Sequence, residues 1–201
     1  MRILELFSGT GSIGRAFQAR GWEVISLDIL SGATITQDIL TWDYTVFPHG
    51  HFDFIWASPP CTEYSKARTR TKRPRNWALA DAVVCRTLDI IDDFRPELRL
   101  IENPQTGYLK NRPFMPNILW QDVTYCRYGA PYKKQTRLWG TFPFQLRPIC
   151  RKHDFCGNVV DGRHPFRAQR EHRGVRRSLE ELYAIPRELC DEIASLATIW
   201  T

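Results

Sequence analysis

The chain has 201 residues, of which 43% are hydrophobic and 12% aromatic, enough for one sizeable core and too apolar for a disordered chain. Lysine and arginine outnumber aspartate and glutamate 28 to 22, for a formal charge of +6; the excess alone excludes little, and where the cations cluster says more. No apolar run reaches the length of a membrane span, and Met1-Arg2-Ile3-Leu4-Glu5-Leu6 passes straight into a strand-like pattern with no room for a signal peptide. A cytoplasmic protein with no membrane partner is expected. The six cysteines (61, 85, 126, 150, 156 and 190) have no disulfide-framework spacing and read as thiols or metal ligands.

Arg2 to Phe7 reads as a first strand, followed by the small turn Ser8-Gly9-Thr10-Gly11-Ser12-Ile13-Gly14. Ser12 to Arg20 has helical spacing, and Gly21 is placed to stop it. Trp22 to Leu27 is a second strand ending in Asp28, and Asp38-Ile39 follows a short β-branched run. Phe52 to Ala57 is a buried strand that two prolines terminate, because proline lacks an N–H and fixes φ. Trp77 to Phe94 reads as a helix and Leu98 to Ile101 as a strand ending in Glu102-Asn103-Pro104. Val123 to Tyr128 and Thr136 to Thr141 are expected as the last strands. Residues 142 to 177 are irregular and basic, and Leu179 to Ile199 is helical, with Pro186 interrupting it or starting a new helix. Alternating strands and helices imply an α/β fold with a doubly wound, mostly parallel sheet.

Two stretches carry chemistry. A strand, a glycine-rich turn and a helix is a layout for holding an anionic or polar cofactor near a helix N-terminus. Gly9-Thr10-Gly11-Ser12-Ile13-Gly14 serves a dinucleotide, S-adenosylmethionine, or only a tight packing turn, and no Lys-Ser/Thr pair follows to make a P-loop. Asp28 is placed for a ribose hydroxyl, or is a solvated strand end. Asp38 and Ile39 offer a carboxylate and an apolar face, or an ordinary turn. Cys61 follows Ser58-Pro59-Pro60 at the carboxyl end of a strand, the edge where ligands bind in open α/β sheets. A buried structural cysteine is the bland alternative.

Taken together, these stretches resemble DNA cytosine-C5 methyltransferases. Leu4-Glu5-Leu6-Phe7-Ser8-Gly9-Thr10-Gly11-Ser12 looks like that family's cofactor motif, and Ser58-Pro59-Pro60-Cys61 like its nucleophile motif. Ile101-Glu102-Asn103-Pro104 resembles its Glu-Asn-Val motif, Gln135-Thr136-Arg137-Leu138-Trp139 part of its Gln-x-Arg-x-Arg motif, and Ala184 to Ile193 its C-terminal segment. They occur in the family's order over nearly the whole chain, and the compact size is similar to short phage-encoded members. Trp139 stands where the second arginine would fall, and the usual target-recognition domain is reduced to residues 142–177.

The resemblance implies a Rossmann-like methyltransferase sheet and three regions: a catalytic unit at 1–141, a reduced recognition-like insert at 142–177, and a helical segment at 178–201 returning to the catalytic unit. It implies S-adenosylmethionine held by Phe7, Ser8, Gly9, Thr10, Gly11, Asp28, Ile29, Asp38, Ile39, Pro60 and Ile185. The Cys61 thiolate would add to carbon 6 of cytosine, making carbon 5 nucleophilic; nearby positive charge should lower its pKa. Glu102, with a raised pKa, would give or share a proton at N3, and Arg137 would hold the O2. The expected setting is a bacterial or phage-infected cell, and the expected state a monomer.

A stacked cytosine cannot reach a cysteine in a pocket, so the target must be flipped out or single-stranded. Residues 66 to 76 carry six cations and no acid immediately after Cys61. Lys66, Arg68, Arg70, Lys72 and Arg73, with Ser65, are expected to grip phosphates, as are Arg163, Arg167 and Arg170 in the second basic stretch, and binding should be strongly salt-dependent. Cys150 and Cys156 with His153 and His164 offer the beginnings of a zinc site, but their spacing matches no strong finger pattern and no metal is assigned. Three rivals remain: an RNA cytosine methyltransferase with the same pocket, a non-catalytic nucleic-acid-binding protein of this fold, and an NAD-linked oxidoreductase, which gives no reason for Pro-Pro-Cys.

Overall fold

The computed structural model describes residues 1–66, 68, 73–141, 143–151, 154, 156–160, 163–168, 171, 172 and 174–200. Arg2–Leu6 (β1), Glu23–Asp28 (β2), Ile35–Thr36 (β3), Phe54–Ala57 (β4), Leu98–Pro104 (β5), Trp120–Thr124 (β6) and Gln135–Gly140 (β7) form one sheet in the order β3-β2-β1-β4-β5-β7-β6. The strands from β3 through β5 are parallel, and β7 is inserted antiparallel between β5 and β6.

β4 is a continuous apolar run and β1 is buried from Ile3 to Leu6, because both faces of the sheet are covered. Ile3, Phe54, Trp56, Leu98 and Leu100 face one way, into a cluster with Ile13 and Phe17 of helix α1 (Ser12–Gln18) and Leu189, Ile193 and Ala197 of helix α4 (Arg187–Trp200). Leu4, Leu6, Ile55, Ala57 and Ile101 face the other way, onto Val84, Ile90, Ile91 and Phe94 of helix α2 (Trp77–Phe94). The doubly wound architecture is thus present, with successive residues alternating between two cores. Asn76 caps α2 by accepting from the Leu79 N–H at 3.1 Å. Polar contacts lock α4 against the α1 side: Trp22 Nε1 donates to Thr198 Oγ1 at 2.9 Å and the Arg20 guanidinium to Ser195 Oγ at 2.7 Å.

Two strand ends differ from the sequence-based expectation, and one open alternative is decided. β5 runs on through Glu102-Asn103-Pro104, because β7 continues to pair with it as far as Pro104 opposite Thr136. The strand expected over Val123 to Tyr128 ends at Thr124; Tyr125–Tyr128 is a 3-10 turn, closed by Gly129 at φ 81°. Helix α3 (Leu179–Tyr183) stops before Pro186, whose carbonyl accepts from the Leu189 and Cys190 N–H groups, so the proline opens α4 instead of kinking one long helix. Within 142–177 the regular structure among described residues is a pair of two-residue strands, Glu171–His172 (β8) and Val175–Arg176 (β9). Among the described residues no helix is long and apolar enough to cross a membrane.

Gly140 sits at φ 147°, and a Cβ there would lie 1.9 Å from the Arg99 carbonyl oxygen of the adjoining strand. Gly140→Ala is therefore expected to lower stability by at least about 3 kcal/mol, measured by urea unfolding.

Candidate active site

The Ser58-Pro59-Pro60-Cys61 turn leaves β4 with one last ladder bond, from the Ser58 N–H to the Leu6 carbonyl at 3.2 Å. β4 pairs with β5 only as far as Ala57 opposite Ile101, so Glu102 and Asn103 project past it. The fully buried Asn103 fills the gap: its Nδ2 donates to the Pro59 carbonyl at 2.8 Å. Beyond the turn, the Tyr64 N–H donates to the Cys61 carbonyl at 3.0 Å and the Tyr64 hydroxyl to Asp81 of α2 at 2.8 Å. Asp81 also binds Arg112. The Tyr108 N–H donates to the Tyr64 carbonyl at 2.9 Å. Gly107 permits this approach: a Cβ there would stand 3.1 Å from the Pro104 carbonyl and 3.3 Å from that of Tyr64. The cysteine turn is thus fastened to β5 and α2.

Cys61 and Glu102 interact electrostatically across this corner. Burial, and then the Glu102 carboxylate, push the Cys61 thiol up, while Lys134 pulls it down. The expectation of a lowered thiol pKa is therefore corrected: Lys134 does not offset burial beside a carboxylate. Glu102 is only 8% exposed, and burial raises its pKa against the opposing effects of Lys134 and a 3.1 Å hydrogen bond from the Tyr125 hydroxyl. Lys134 Nζ lies 4.6 Å from the Tyr125 ring centroid and donates to the Leu182 carbonyl at 3.3 Å. Sequence reasoning assigned no role to Lys134 or Tyr125.

Arg137 is not brought to this group. Glu102 and Leu138 are direct partners across β5 and β7 and share a face, so Arg137 projects from the opposite face. There it forms a two-pronged ion pair with Asp122 at 2.6 and 2.9 Å and stacks 3.6 Å from the Trp120 ring centroid.

At the other end of the same edge, Phe7 adopts φ 59°, unusual for a residue with a side chain, and Gly9 and Gly11 adopt φ 47° and 64°. The Ser8 N–H bonds the Leu27 carbonyl at 3.2 Å, and Thr10 Oγ1 lies 2.7 Å from Ser12 Oγ. Asp28 accepts from the Gly9 N–H at 2.8 Å and the Leu30 N–H at 2.9 Å. Ile29 is 69% exposed and Leu30 62%. Asp38 is exposed and accepts from the Leu40 N–H at 2.9 Å, whereas Ile39 is buried in the α2 cluster. Pro60 is exposed, and Ile185 is half-buried against the α1 and α4 cluster. Beneath the turn the buried Glu5 accepts from the Gly14 N–H at 3.1 Å, and burial raises its carboxyl to about 7. Only Gly fits at position 14, where a Cβ would stand 2.6 Å from that carboxylate.

The expected phosphate-binding cations are partly engaged. Glu63 pairs with Arg68 and, at 2.5 Å, with Arg73. The Arg68 side chain is only 9% exposed, that of Arg73 66%. Lys66 is exposed above the Tyr108 ring, and the Ser65 carbonyl accepts from Arg75 at 2.8 Å. Arg163 and Arg167 are exposed. Arg70, Lys72, Arg170 and His153 lie outside the described residues. Cys150, Cys156 and His164 converge, joined by Cys126.

A mostly parallel sheet of this strand order, with a glycine turn after β1 and a carboxylate closing β2, is the Rossmann-like architecture of S-adenosylmethionine-dependent methyltransferases. The fold is shared with the Entamoeba histolytica methyltransferase EhMeth (TM-score 0.54, 15% identity, 77% of this chain and 57% of that one). It is shared also with a prophage-encoded E. coli protein assigned as a DNA modification methyltransferase (TM-score 0.52, 17% identity, 70% and 46%). The chain spans about half the length of these two structures. In sequence it is 34% identical over 172 residues to the DNA (cytosine-5)-methyltransferase assigned to Frog virus 3 (isolate Goorha), covering 79% of each. It is 25% identical over 152 residues to the type II methyltransferase M.AplI of Arthrospira platensis, covering 66% of this chain and 43% of that one. The family model for C-5 cytosine-specific DNA methylases matches residues 1–112. The chain belongs to that family and is an enzyme of that class.

Two titrations follow from this geometry. Glu102→Gln removes the carboxylate that raises the Cys61 thiol, so the pH profile of Cys61 alkylation should move to lower pH. Glu5 is raised from 4.5 to about 7; across that window the folded chain keeps a proton that the unfolded chain has lost, so stability falls as pH rises. The loss totals about 3 kcal/mol. Glu5→Gln should flatten it when urea unfolding is compared below and above the window.

Proposed function

We propose that the chain transfers a methyl group from S-adenosylmethionine to carbon 5 of cytosine in DNA through a covalent adduct at Cys61. The observation that carries this reading is the Asn103 to Pro59 hydrogen bond, which ties the Glu102 strand end to the Cys61 turn. Its S–H proton given up to solvent, the Cys61 thiolate attacks carbon 6 while the Glu102 carboxylic acid delivers a proton toward N3, so negative charge does not accumulate on the ring. Burial favours the protonated Glu102 that this step requires. Tyr125 and Lys134 orient the Glu102 carboxyl, and Lys134 supplies the positive charge first expected from Arg137. After methyl transfer solvent takes the C5 proton, Cys61 leaves as the thiolate, and the N3 proton returns to Glu102, which completes the reaction.

The residues at the glycine turn fit S-adenosylmethionine. The backbone of Gly9 and Gly11 turns with no side chain in the way, Asp28 is set for ribose hydroxyls, and the uncovered Ile29 offers an apolar surface to the adenine ring. Phe7, Ser8, Thr10, Asp38, Ile39, Pro60 and Ile185 complete the proposed binding edge. When bound, that cofactor supplies an electrophilic methyl group. Duplex DNA is the proposed substrate, with the cytosine flipped into the corner. Lys66, Arg68 and Arg73, together with Arg163 and Arg167, meet phosphates there, in a monomer acting in the cytoplasm.

The test is expression in a methylation-free host with 5-methylcytosine mapped at base resolution, and assay of purified protein on duplex DNA against transfer RNA. Methylation of DNA is expected. Cys61→Ser should abolish it while retaining DNA binding, and full activity in that variant would overturn the mechanism. Lys134→Gln should lower kcat by about a hundredfold. Arg137→Ala should cost about 2 kcal/mol of stability through its Asp122 pair and leave kcat within about threefold.

A further inference from the structure

We infer that Cys126, Cys150, Cys156 and His164 form a closed structural zinc site that pins the 142–177 segment to the catalytic unit. Their ligand atoms all lie within 4.8 Å of one another. His164 Nε2 stands 3.7 Å from Cys150 Sγ and 3.2 Å from Cys156 Sγ. A tetrahedral zinc ion with ordinary Zn–S and Zn–N bonds places its ligand atoms about 3.6 to 3.8 Å apart. The cluster therefore needs shifts of no more than about an ångström to accept the ion. Three sulfurs and an imidazole are the donor set of structural zinc, and four protein ligands leave no open position for catalysis.

The surroundings suit that assignment. Thr124 Oγ1 accepts from the Cys150 N–H at 2.8 Å and Asn158 donates to the Cys126 carbonyl at 3.3 Å, which fixes the backbone of two ligands. Asp154 joins the two sides, accepting from Arg127 at 2.8 Å and from the Arg151 N–H at 2.7 Å. Three thiolates around a divalent ion leave one net negative charge, and Lys133 lies within electrostatic reach of both Cys150 and His164. A disulfide would use two of the three sulfurs and give the third, and the imidazole, nothing to do.

The segment also needs what such an ion provides. Among its described residues only Leu146, Cys150 and Arg177 are buried, and its strands are two residues long. It has too little apolar surface to fold on its own, the situation in which a metal supplies the folding energy. Three ligands come from this segment, while Cys126 belongs to the 3-10 turn of the catalytic unit, next to the Tyr125 that holds Glu102. The spacing of Cys150, Cys156 and His164 conceals the site because the fourth ligand lies far upstream and only the tertiary fold brings it in.

The experiment is elemental analysis of untagged full-length protein after gel filtration through a chelator-containing buffer, with cobalt substitution as the second readout. About one zinc per chain is expected. Cobalt-loaded protein should show intense thiolate-to-cobalt charge-transfer bands and the absorption of a tetrahedral ion. Cys156→Ser, which alters a half-exposed ligand, should reduce retained zinc about tenfold or more and speed proteolysis within 142–177; Cys85→Ser, at a free cysteine on α2, should do neither. Metal-free protein whose three thiols alkylate without a chelator would overturn the inference, as would stoichiometric iron in place of zinc, or zinc that Cys156→Ser retains in full.

Discussion

A single buried hydrogen bond, from Asn103 to the Pro59 carbonyl, makes two strand ends into one site. Parallel strands deliver their carboxyl ends to the same edge, but delivery alone leaves them splayed. β4 stops because proline cannot donate to the ladder, while β5 continues because β7 pairs with it on the other side. Glu102 and Asn103 are left without a strand neighbour on the β4 side. The Asn103 amide replaces the missing ladder bond and fixes the distance between the carboxyl and the thiol. Tyr64, Asp81 and Arg112 brace the same turn from behind, so the rigid support is a network that spans the sheet and α2.

Burial disfavours anions throughout the corner so formed. Cys61, Glu102 and Tyr125 are all pushed toward their protonated forms by burial, with Lys134 acting against this at Cys61 and Glu102. In a medium of low dielectric a neutral thiol beside a neutral acid costs less than two anions. Outside the corner, Glu63 serves Arg68 and Arg73 as an internal counter-ion.

The catalytic unit and the segment after it are stabilised by different means. Two apolar clusters sandwich the sheet, whereas 142–177 rests on isolated bridges, ion pairs and a knot of sulfur and imidazole. That contrast explains how the described part of so short a segment can keep a defined position. It does not need a core of its own if the catalytic unit supplies part of its anchor.

By itself the sequence determined the layered α/β fold, the glycine turn, and the strand-end positions of Cys61 and Glu102, because those depend on local signals: apolar runs, glycines and prolines that act on their own backbone. The family relationship was legible for the same reason, since its motifs are short and occur in order. What only the tertiary structure decided was which groups meet. Arg137 matched a motif but lies on the far face, because strand side chains alternate and its register places Leu138, not Arg137, opposite Glu102. Lys134 and Tyr125 had no role assigned from the sequence and stand at the corner. The direction of the Cys61 shift depends on burial and on a carboxylate 41 positions away, Glu102, brought close by the pairing of β4 with β5. Cys126 joins Cys150, Cys156 and His164 only because a strand, a turn and an irregular segment fold onto one another. Spacing along a chain encodes local geometry, and contacts between distant strands follow from register and burial, which no short stretch of sequence contains.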